Sequence, residues 1–240
     1  MKAVEIQSRD DRAPEYDDWV CRMRGSYSCE AELRAVMRAL RITSRSRVLD
    51  AGCGTGRLTM LLAARAESVS AVDFSPRSVD VLRRRLAEER LSNVQTMVGD
   101  LNHVSLVAES FDAVASVGVM HHIPTHELRC DALARLRAAL KIGGRLVVVV
   151  YRWGGMIDSR KERKEGVHGS GVYYHAFSPT DLRELLREAG FRGIRVRGLI
   201  SCPGRIRRHL PAAASVLEPF LMVVPWSALV SDFLIASAIK

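Results

Sequence analysis

The segment from Arg47 to Leu62 constrains the fold more than any other part of the 240-residue chain. It reads RVLDAGCGTGRLTMLL, a short apolar run followed by three alternating glycines and then by leucines at helical spacing. A buried strand, a glycine turn and an amphipathic helix form the first unit of a doubly wound α/β domain. Glycine lets the backbone turn tightly and come close to a ligand, which a Cβ atom would prevent. The segment therefore predicts a ligand-binding turn after the first strand.

Two details of this turn indicate which ligand it holds. A dinucleotide-binding turn reads GxGxxG, and Arg57 occupies the position of its last glycine. Asp50 ends the strand, and a carboxylate there repels a pyrophosphate but suits a ligand with an ammonium and a sulfonium group. The sequence DAGCGTG resembles motif I of the class I S-adenosylmethionine (SAM)-dependent methyltransferases. The resemblance implies that the SAM-binding residues of this segment are Asp50, Gly52, Cys53, Gly54 and Gly56.

A second acidic residue follows the second predicted strand, Ser68–Val72. Asp73 lies 17 positions after Gly56, where a carboxylate of a βαβ unit reaches the ribose hydroxyls of a nucleoside. The alternative role is that of a helix N-cap, which Ser75 fills well on its own. We therefore expect Asp73 to bind ribose, and we include the adjacent Phe74 among the cofactor-binding residues.

The third predicted strand, Val94–Val98, is followed by a third acidic residue. The resemblance implies that Asp100 accepts a hydrogen bond from the adenine amino group and that Leu101 packs on the ring. The alternative is an ordinary turn, because Gly-Asp pairs are common in turns.

The fourth predicted strand, Phe111–Ser116, leads into the sequence VGVMHHIP, which also resembles this family. The resemblance implies that backbone carbonyls near Val117 bind the ammonium group of SAM. A histidine with a pKa near neutral can take a proton from a nucleophile, so His121 and His122 are candidate bases. The alternative is that one of them stabilises the loop and the other faces solvent.

The remaining chain is expected to form the acceptor side and the end of the sheet. Residues 154–172 are expected to form a mobile flap, and the aromatic run after them makes Tyr174 and His175 candidate catalytic or pocket residues. The fifth strand is predicted at Leu146–Val150 after a glycine turn, and the last two at Ile194–Leu199 and Phe233–Ile239.

The predicted fold class is α/β, a Rossmann-like, seven-stranded, mostly parallel sheet with helices on both faces and an antiparallel C-terminal strand. A single domain, 1–240, would comprise an N-terminal helical lid (1–42), a SAM-binding core (43–150) and a substrate side (151–240). The resemblance implies that the lid folds over cofactor and substrate, so that Tyr16 or Tyr27 contacts either of them. The alternative is that this segment simply packs over the edge of the sheet.

Composition restricts the function further. The net charge of +9 suggests RNA or an anionic membrane, and residues 151–209 carry 13 Lys or Arg against 6 Asp or Glu. The basic residues are mostly arginine, a bias that a GC-rich coding sequence also produces, so the charge is discounted as a sign of function.

The five cysteines include no CxxC pair, so we expect no metal site and a reduced, cytoplasmic protein. The apolar stretch Leu217–Val230 within an insert, 201–232, is interpreted as an amphipathic cap, a dimer face or a peripheral membrane contact, and the alternative is a helix packed on the sheet.

These features predict a methyltransferase that uses SAM, releases S-adenosylhomocysteine, and methylates an oxygen or nitrogen of a small molecule such as a secondary metabolite. Methylation of a tRNA wobble base is the alternative that the basic segment favours, and it makes RNA a partner. A lipid or quinone acceptor is the alternative that the apolar insert favours. A protein that binds SAM without transferring the methyl group is the alternative outside enzymes.

Overall fold

The structure is a computed structural model that describes residues 2–24, 26–154, 164–199, 209–210, 212–213, 216–217, 220–221 and 231–240. The strands are β1 (Arg47–Ala51), β2 (Ser68–Asp73), β3 (Val94–Val98), β4 (Phe111–Val117), β5 (Leu140–Tyr151), β6 (Glu165–Val167), β7 (Tyr173–His175), β8 (Arg192–Leu199) and β9 (Phe233–Ile239). The α-helices are α1 (Lys2–Arg12), α2 (Tyr16–Arg24), α3 (Ser26–Leu40), α4 (Arg57–Ala63), α5 (Pro76–Glu88), α6 (His126–Ala139) and α7 (Pro179–Glu188).

Seven strands form one sheet in the order β3-β2-β1-β4-β5-β9-β8. Strands β1 to β5 are parallel, and β9 runs antiparallel to both its neighbours, β5 and β8. The predicted Rossmann-like sheet with an antiparallel C-terminal strand is confirmed. The chain leaves β1 toward β2 and β3 and later returns to β4 and β5, so a crevice opens between the carboxyl ends of β1 and β4.

Helices cover both faces of the sheet, which is why its central strands are apolar throughout. In β5, Leu146, Val148 and Val150 belong to one buried cluster together with residues of α6 and α7. Val147 and Val149 point the other way and join a cluster that includes residues of α3 and α4. Successive side chains of a strand face opposite sides, so a strand covered on both faces reads as a continuous apolar run.

Local capping fixes where several helices begin. Ser178 accepts a hydrogen bond from the Asp181 backbone amide, and the Asp181 side chain accepts one from the Ser178 amide, which is a complete capping box at α7. Ser75 caps α5 by accepting from the Ser78 amide, as predicted. Among the helices in the described parts of the chain, none combines the length and apolar character needed to cross a bilayer.

The predicted strand boundaries need correction in two places. The fifth strand begins at Leu140 rather than at Leu146, because Leu140 pairs with Phe111 before the register shifts at a bulge, and the expected glycine turn lies inside the strand. The sixth long strand begins at Arg192 rather than at Ile194.

The expected flap contains a regular element where it is described. β6 and β7 pair as an antiparallel hairpin whose turn is closed by two hydrogen bonds between the backbones of His168 and of Gly171 and Val172. The rest of the flap, 155–163, most of the apolar stretch from 217 to 230 and the side chain of Tyr27 lie outside the described residues.

Gly56 generates a prediction about the stability of this fold. It precedes α4 with φ of +96°, and a Cβ atom there would lie 2.4 Å from Leu82 Cδ1. We expect Gly56→Ala to lower the free energy of unfolding by about 1–3 kcal/mol, because it adds backbone strain and overpacking. Urea unfolding measures the change. Gly169→Ala is the matched control, since its Cβ would meet no described atom within 4 Å; equal losses in both variants would contradict the explanation.

Candidate cofactor and acceptor site

A cavity of about 360 Å³ lies at the carboxyl ends of β1, β2 and β4. The glycine turn and the acidic strand ends line one side, and α1 and α2 supply residues to the other. Nine of the ten predicted cofactor residues line it: Asp50, Gly52, Cys53, Gly54, Asp73, Phe74, Asp100, Leu101 and Val117. The sheet therefore brings together residues that are spread over nearly seventy positions of the sequence.

The glycine turn is attached to the neighbouring strand by its backbone. The amides of Gly52 and Cys53 both donate to the Val72 carbonyl, at 2.7 and 3.0 Å. A Cβ atom on Gly52 would lie 2.0 Å from Val119 Cγ2, so only glycine fits beside the loop after β4. A Cβ atom on Gly54 would meet no described atom within 4 Å, so the backbone there is open to the cavity.

Asp73 connects this turn to the start of α5. One carboxylate oxygen accepts from the Gly54 amide at 2.8 Å and the other from the Ser75 amide at 2.9 Å. Burial raises the pKa of Asp73, and the two amide bonds act in the opposite direction. Each oxygen has a second lone pair, so these bonds leave acceptor capacity for hydroxyl groups of a ligand.

Asp50 is the most deeply buried acid of the site. Its Oδ2 accepts a hydrogen bond from Thr59 Oγ1 at 2.7 Å. Burial raises its pKa to about 7, with a further increase from the charge of Asp73, while the Thr59 bond lowers it. Near neutral pH the carboxyl is therefore balanced between its two protonation states, and a nearby cation would favour the charged one.

Asp100 and Leu101 form the cavity wall after β3. The Asp100 carboxylate accepts from the Asn102 amide at 3.1 Å and lies 3.0 Å from His103 Nδ1, and the His103 amide donates to the Asp100 carbonyl at 2.8 Å, so Asp100 begins a turn. Leu101 is buried and lines the cavity with Asn102 and His103. A turn at Asp100 is compatible with a role of this residue in ligand binding, because the turn itself forms this part of the cavity wall.

His122 is the one predicted catalytic residue that lines the cavity. Its Nδ1 lies 2.7 Å from the carbonyl oxygen of Tyr173. A carbonyl only accepts, so Nδ1 carries the proton, and in the neutral ring the lone pair is on Nε2. The hairpin β6–β7 thus sets the tautomer of a histidine at the cavity wall.

The other predicted catalytic residues and Gly56 are not part of the cavity wall. His121 is buried, with its ring stacked on Tyr151 at a centroid distance of 3.8 Å. Tyr174 is buried against the ring of His168. His175 lies 3.2 Å from Glu165, its partner across the hairpin. In the structure these three side chains are held by ring packing and by hairpin pairing, away from the cavity wall.

The N-terminal helices are attached to the cofactor side by two aspartates. Asp17 of α2 accepts from Thr55 Oγ1 at 2.6 Å and forms an ion pair with Arg85 of α5. Asp10 of α1 accepts from Ser75 Oγ at 2.5 Å, at the N-terminus of α5, where a negative charge is favoured. These contacts hold α1 and α2 over the cavity.

Several residues of the wall were not singled out in the sequence. Tyr16 was expected to contact a ligand and does line the cavity, and the additional wall residues include Glu5, Arg9, Val20, Glu32, Leu33, Arg57, Ile123, Pro124, Leu128, Gly171 and Tyr173. Glu5 and Arg9, like Tyr16 and Val20, are four residues apart, which places each pair on one face of its helix. This four-residue spacing could have indicated that each pair lies on one face of its helix. It does not indicate which face of the helix is turned toward the sheet.

Known proteins match the chain over the same region. A family model described as a methyltransferase domain matches residues 48–144. The ubiquinone biosynthesis O-methyltransferase of Xylella fastidiosa is 31% identical over 182 residues, which are 72% of this chain and 72% of that protein. The chain belongs to the class I SAM-dependent methyltransferases.

Solved methyltransferases share the fold along almost the whole chain. A SAM-dependent methyltransferase of Thermotoga maritima, described as a possible histamine N-methyltransferase, matches with a TM-score of 0.69 at 20% identity, over 98% of this chain and 99% of that one. The 1,6-didemethyltoxoflavin-N1-methyltransferase of Burkholderia thailandensis, solved with 1,6-didemethyltoxoflavin and S-adenosylhomocysteine, matches with a TM-score of 0.68 at 22% identity, over 100% and 88% of the two chains. At these identities the likeness establishes the fold.

The cavity of this methyltransferase fits its cofactor, SAM. Gly54 offers open backbone, and the acidic strand ends complement a ligand with two cationic centres and several hydroxyls. Cys53 lies in the turn, where burial and the charges of Asp50 and Asp73 raise the pKa of its thiol. The thiol therefore stays protonated and acts as a small neutral side chain beside the ligand.

The raised pKa of Asp50 predicts a pH-dependent affinity for SAM. A cationic ligand binds the carboxylate form better, so below pH 7 the affinity should rise with pH by up to about tenfold per unit and level off above it. Calorimetric titration at several pH values measures this slope. Asp50→Asn is the control, because it removes the ionisation, and an equal slope in the variant would refute the assignment to Asp50.

The contacts of Asp17 predict that weakening the attachment of α2 speeds the release of bound S-adenosylhomocysteine. Asp17→Asn removes the charge that pairs with Arg85, so bound S-adenosylhomocysteine should dissociate about three- to tenfold faster, equivalent to about 0.7–1.4 kcal/mol. Stopped-flow displacement measures the rate. Asp18→Asn, at the exposed neighbouring position of α2, should leave it unchanged; acceleration in both variants would argue against a specific attachment.

Proposed function

We propose that this methyltransferase methylates an oxygen or nitrogen of a small, largely apolar molecule bound at the His122 end of the cavity. The observation that carries the proposal is the lining of that end. Next to His122 the wall continues through the apolar side chains of Ile123 and Pro124. An apolar chamber that contains a histidine suits a compact acceptor that must lose a proton.

The residues that would hold SAM are those of the turn and the acidic strand ends. We propose that Asp73 binds the ribose hydroxyls, that Asp100 and Leu101 hold the adenine, and that Asp50 and the Val117 carbonyl face the ammonium group. SAM supplies a methyl group on a sulfonium, which is already a good leaving group. The protein's own contribution is alignment of the acceptor with that methyl, an effect that provides about 7–11 kcal/mol in well-oriented reactions.

His122 is the proposed proton acceptor. Its Nδ1–H donates to the Tyr173 carbonyl, so Nε2 of the neutral ring is the atom able to take a proton from an acceptor hydroxyl or N–H. The hydrogen bond also orients the ring toward the chamber. Loss of the acceptor proton to Nε2 would accompany attack of the acceptor atom on the methyl carbon.

The distribution of charge favours a small molecule over RNA. Arg145 and Arg192 both pair with Ile239, at the amino ends of the parallel strands and therefore opposite the cavity. Burial lowers the pKa of Arg145, and so do the neighbouring charges of Arg41 and Arg195. Arg41, Arg145, Arg192 and Arg195 thus lie at the end of the sheet opposite the methyl group, where they would not guide RNA to it.

A quinone precursor is the second candidate acceptor, because the relative from Xylella fastidiosa is named for ubiquinone biosynthesis. An aromatic hydroxyl on such a ring would satisfy both the apolar wall and the proposed base. Incubation with methyl-labelled SAM and a fractionated cell extract separates the candidates. Label in small molecules outside the quinone fraction supports the proposal, label in the quinone fraction selects the second candidate, and label in RNA overturns both.

Two variants of His122 test its proposed role. Asn retains a donor near the position of Nδ1 and Gln places an amide near Nε2, but neither can take a proton. We expect both to lower kcat by about a hundredfold or more, with SAM affinity unchanged within twofold and the pH dependence of kcat lost. Single-turnover assays and calorimetry measure these quantities. Full activity in either variant would exclude His122 as the base.

A further inference from the structure

A cluster of metal-ligating side chains lies outside the cavity, where α6 meets α7. His126 and Cys130 are four residues apart on α6 and therefore share a face. Glu188 is the last residue of α7 and reaches the same point. The donor atoms of the three side chains all lie within 4.8 Å of one another. None of the three lines the cavity of the methyltransferase.

The distances in this cluster resemble those between neighbouring ligands of one tetrahedral ion. Cys130 Sγ lies 3.5 Å from His126 Nε2 and 3.8 Å from Glu188 Oε2. Zinc bonds of about 2.3 Å to sulfur and about 2.0–2.2 Å to nitrogen or oxygen place adjacent ligands roughly 3.3–3.6 Å apart. The third distance, 2.6 Å from His126 Nε2 to Glu188 Oε2, is that of a hydrogen bond. It must lengthen by less than an ångström when an ion replaces the bridging proton.

We propose that His126, Cys130 and Glu188 form a binding site for a divalent zinc-like cation. Binding breaks the S–H bond of Cys130 and the N–H bond at His126 Nε2 that bridges to Glu188. The thiol proton and the Nε2 proton pass to solvent, and the neutral imidazole holds its one proton on Nδ1 while Nε2 donates its lone pair to the ion. Three protein ligands leave the fourth tetrahedral position to water.

The donor set selects the chemical class of the ion. One thiolate, one imidazole and one carboxylate suit Zn²⁺ and the similar Co²⁺, whereas Ca²⁺ and Mg²⁺ prefer oxygen ligands. The side chains of His126 and Glu188 are 57% and 55% exposed, so an ion can enter directly from solvent. The sequence did not suggest the site, because Glu188 follows Cys130 by 58 positions and no CxxC pair is involved.

A bound ion would tie α6 to α7. α6 begins directly after the HHIP loop, and Leu128, between the two α6 ligands in sequence, faces the cavity. The site therefore lies on the outer face of the helix that supports the acceptor chamber. The expected effect is stabilisation of the α6–α7 pair, which grows with the concentration of free ion.

Metal titration of the full-length, chelator-treated protein tests the proposal, with Zn²⁺ and Co²⁺ as the probes. We expect one equivalent of Zn²⁺ by calorimetry, a rise in Tm with Zn²⁺, and a thiolate-to-cobalt charge-transfer band with Co²⁺. Cys130→Ser should abolish that band and weaken Zn²⁺ binding at least about tenfold, and His126→Asn and Glu188→Gln should weaken binding similarly. Retained affinity for SAM shows that each variant is folded.

Two control variants separate this site from incidental binding. Cys21→Ser removes another partly buried thiol, and Glu127→Gln removes a carboxylate next to His126, so neither should change the stoichiometry or the cobalt band. The proposal is overturned if the parent protein binds no equivalent of Zn²⁺. It is equally overturned if Cys130→Ser, His126→Asn and Glu188→Gln all bind as the parent does.

Discussion

Two carboxylates confined beside a glycine turn dominate the energetics of this site. Asp50 and Asp73 lie at the ends of adjacent parallel strands. Burial is the main cause that raises the pKa of each carboxyl group. In the case of Asp50, the charge of Asp73 adds to that increase. An acid whose pKa is raised on folding makes the folded protein less stable once the pH exceeds the pKa of the unfolded chain. The fold therefore maintains an unfavourable concentration of negative charge, which a cationic ligand relieves on binding.

Much of this site was predictable because its determinants are local. A strand, a turn and a helix within sixteen residues fix Gly52 and Gly54, and alternation of strands and helices fixes the strand ends where Asp73 and Asp100 lie. Parallel strands place their carboxyl ends at one edge of the sheet, so residues at successive strand ends meet without further information. The same argument explains why nine of ten predicted cofactor residues line the cavity.

Sequence patterns could not select a position where two packings were equally compatible with them. Adjacent histidines after β4 cannot be distinguished by pattern, yet His121 stacks on Tyr151 while His122 reaches the cavity. Tyr173 and Tyr174 face opposite sides of β7, and the pairing of that hairpin selects Tyr173 for the wall. Gly56 matches the glycine of the motif, but in the structure it is the N-cap residue of α4. Each choice depends on a contact between segments distant in the sequence.

The two ends of the cavity are therefore formed by different kinds of sequence segment, contiguous at one end and dispersed at the other. The cofactor end is built by contiguous βα units, so changes elsewhere leave it intact. The proposed acceptor end combines the loop after β4 with the β6–β7 hairpin, and its residues can change without altering the sheet. The helices α1 and α2 cover the cavity and are anchored by Asp10 and Asp17 to Ser75 and to Thr55 of the glycine turn. We therefore expect movement of this cover to disturb the cofactor side, which would couple exchange of the acceptor to exchange of the cofactor.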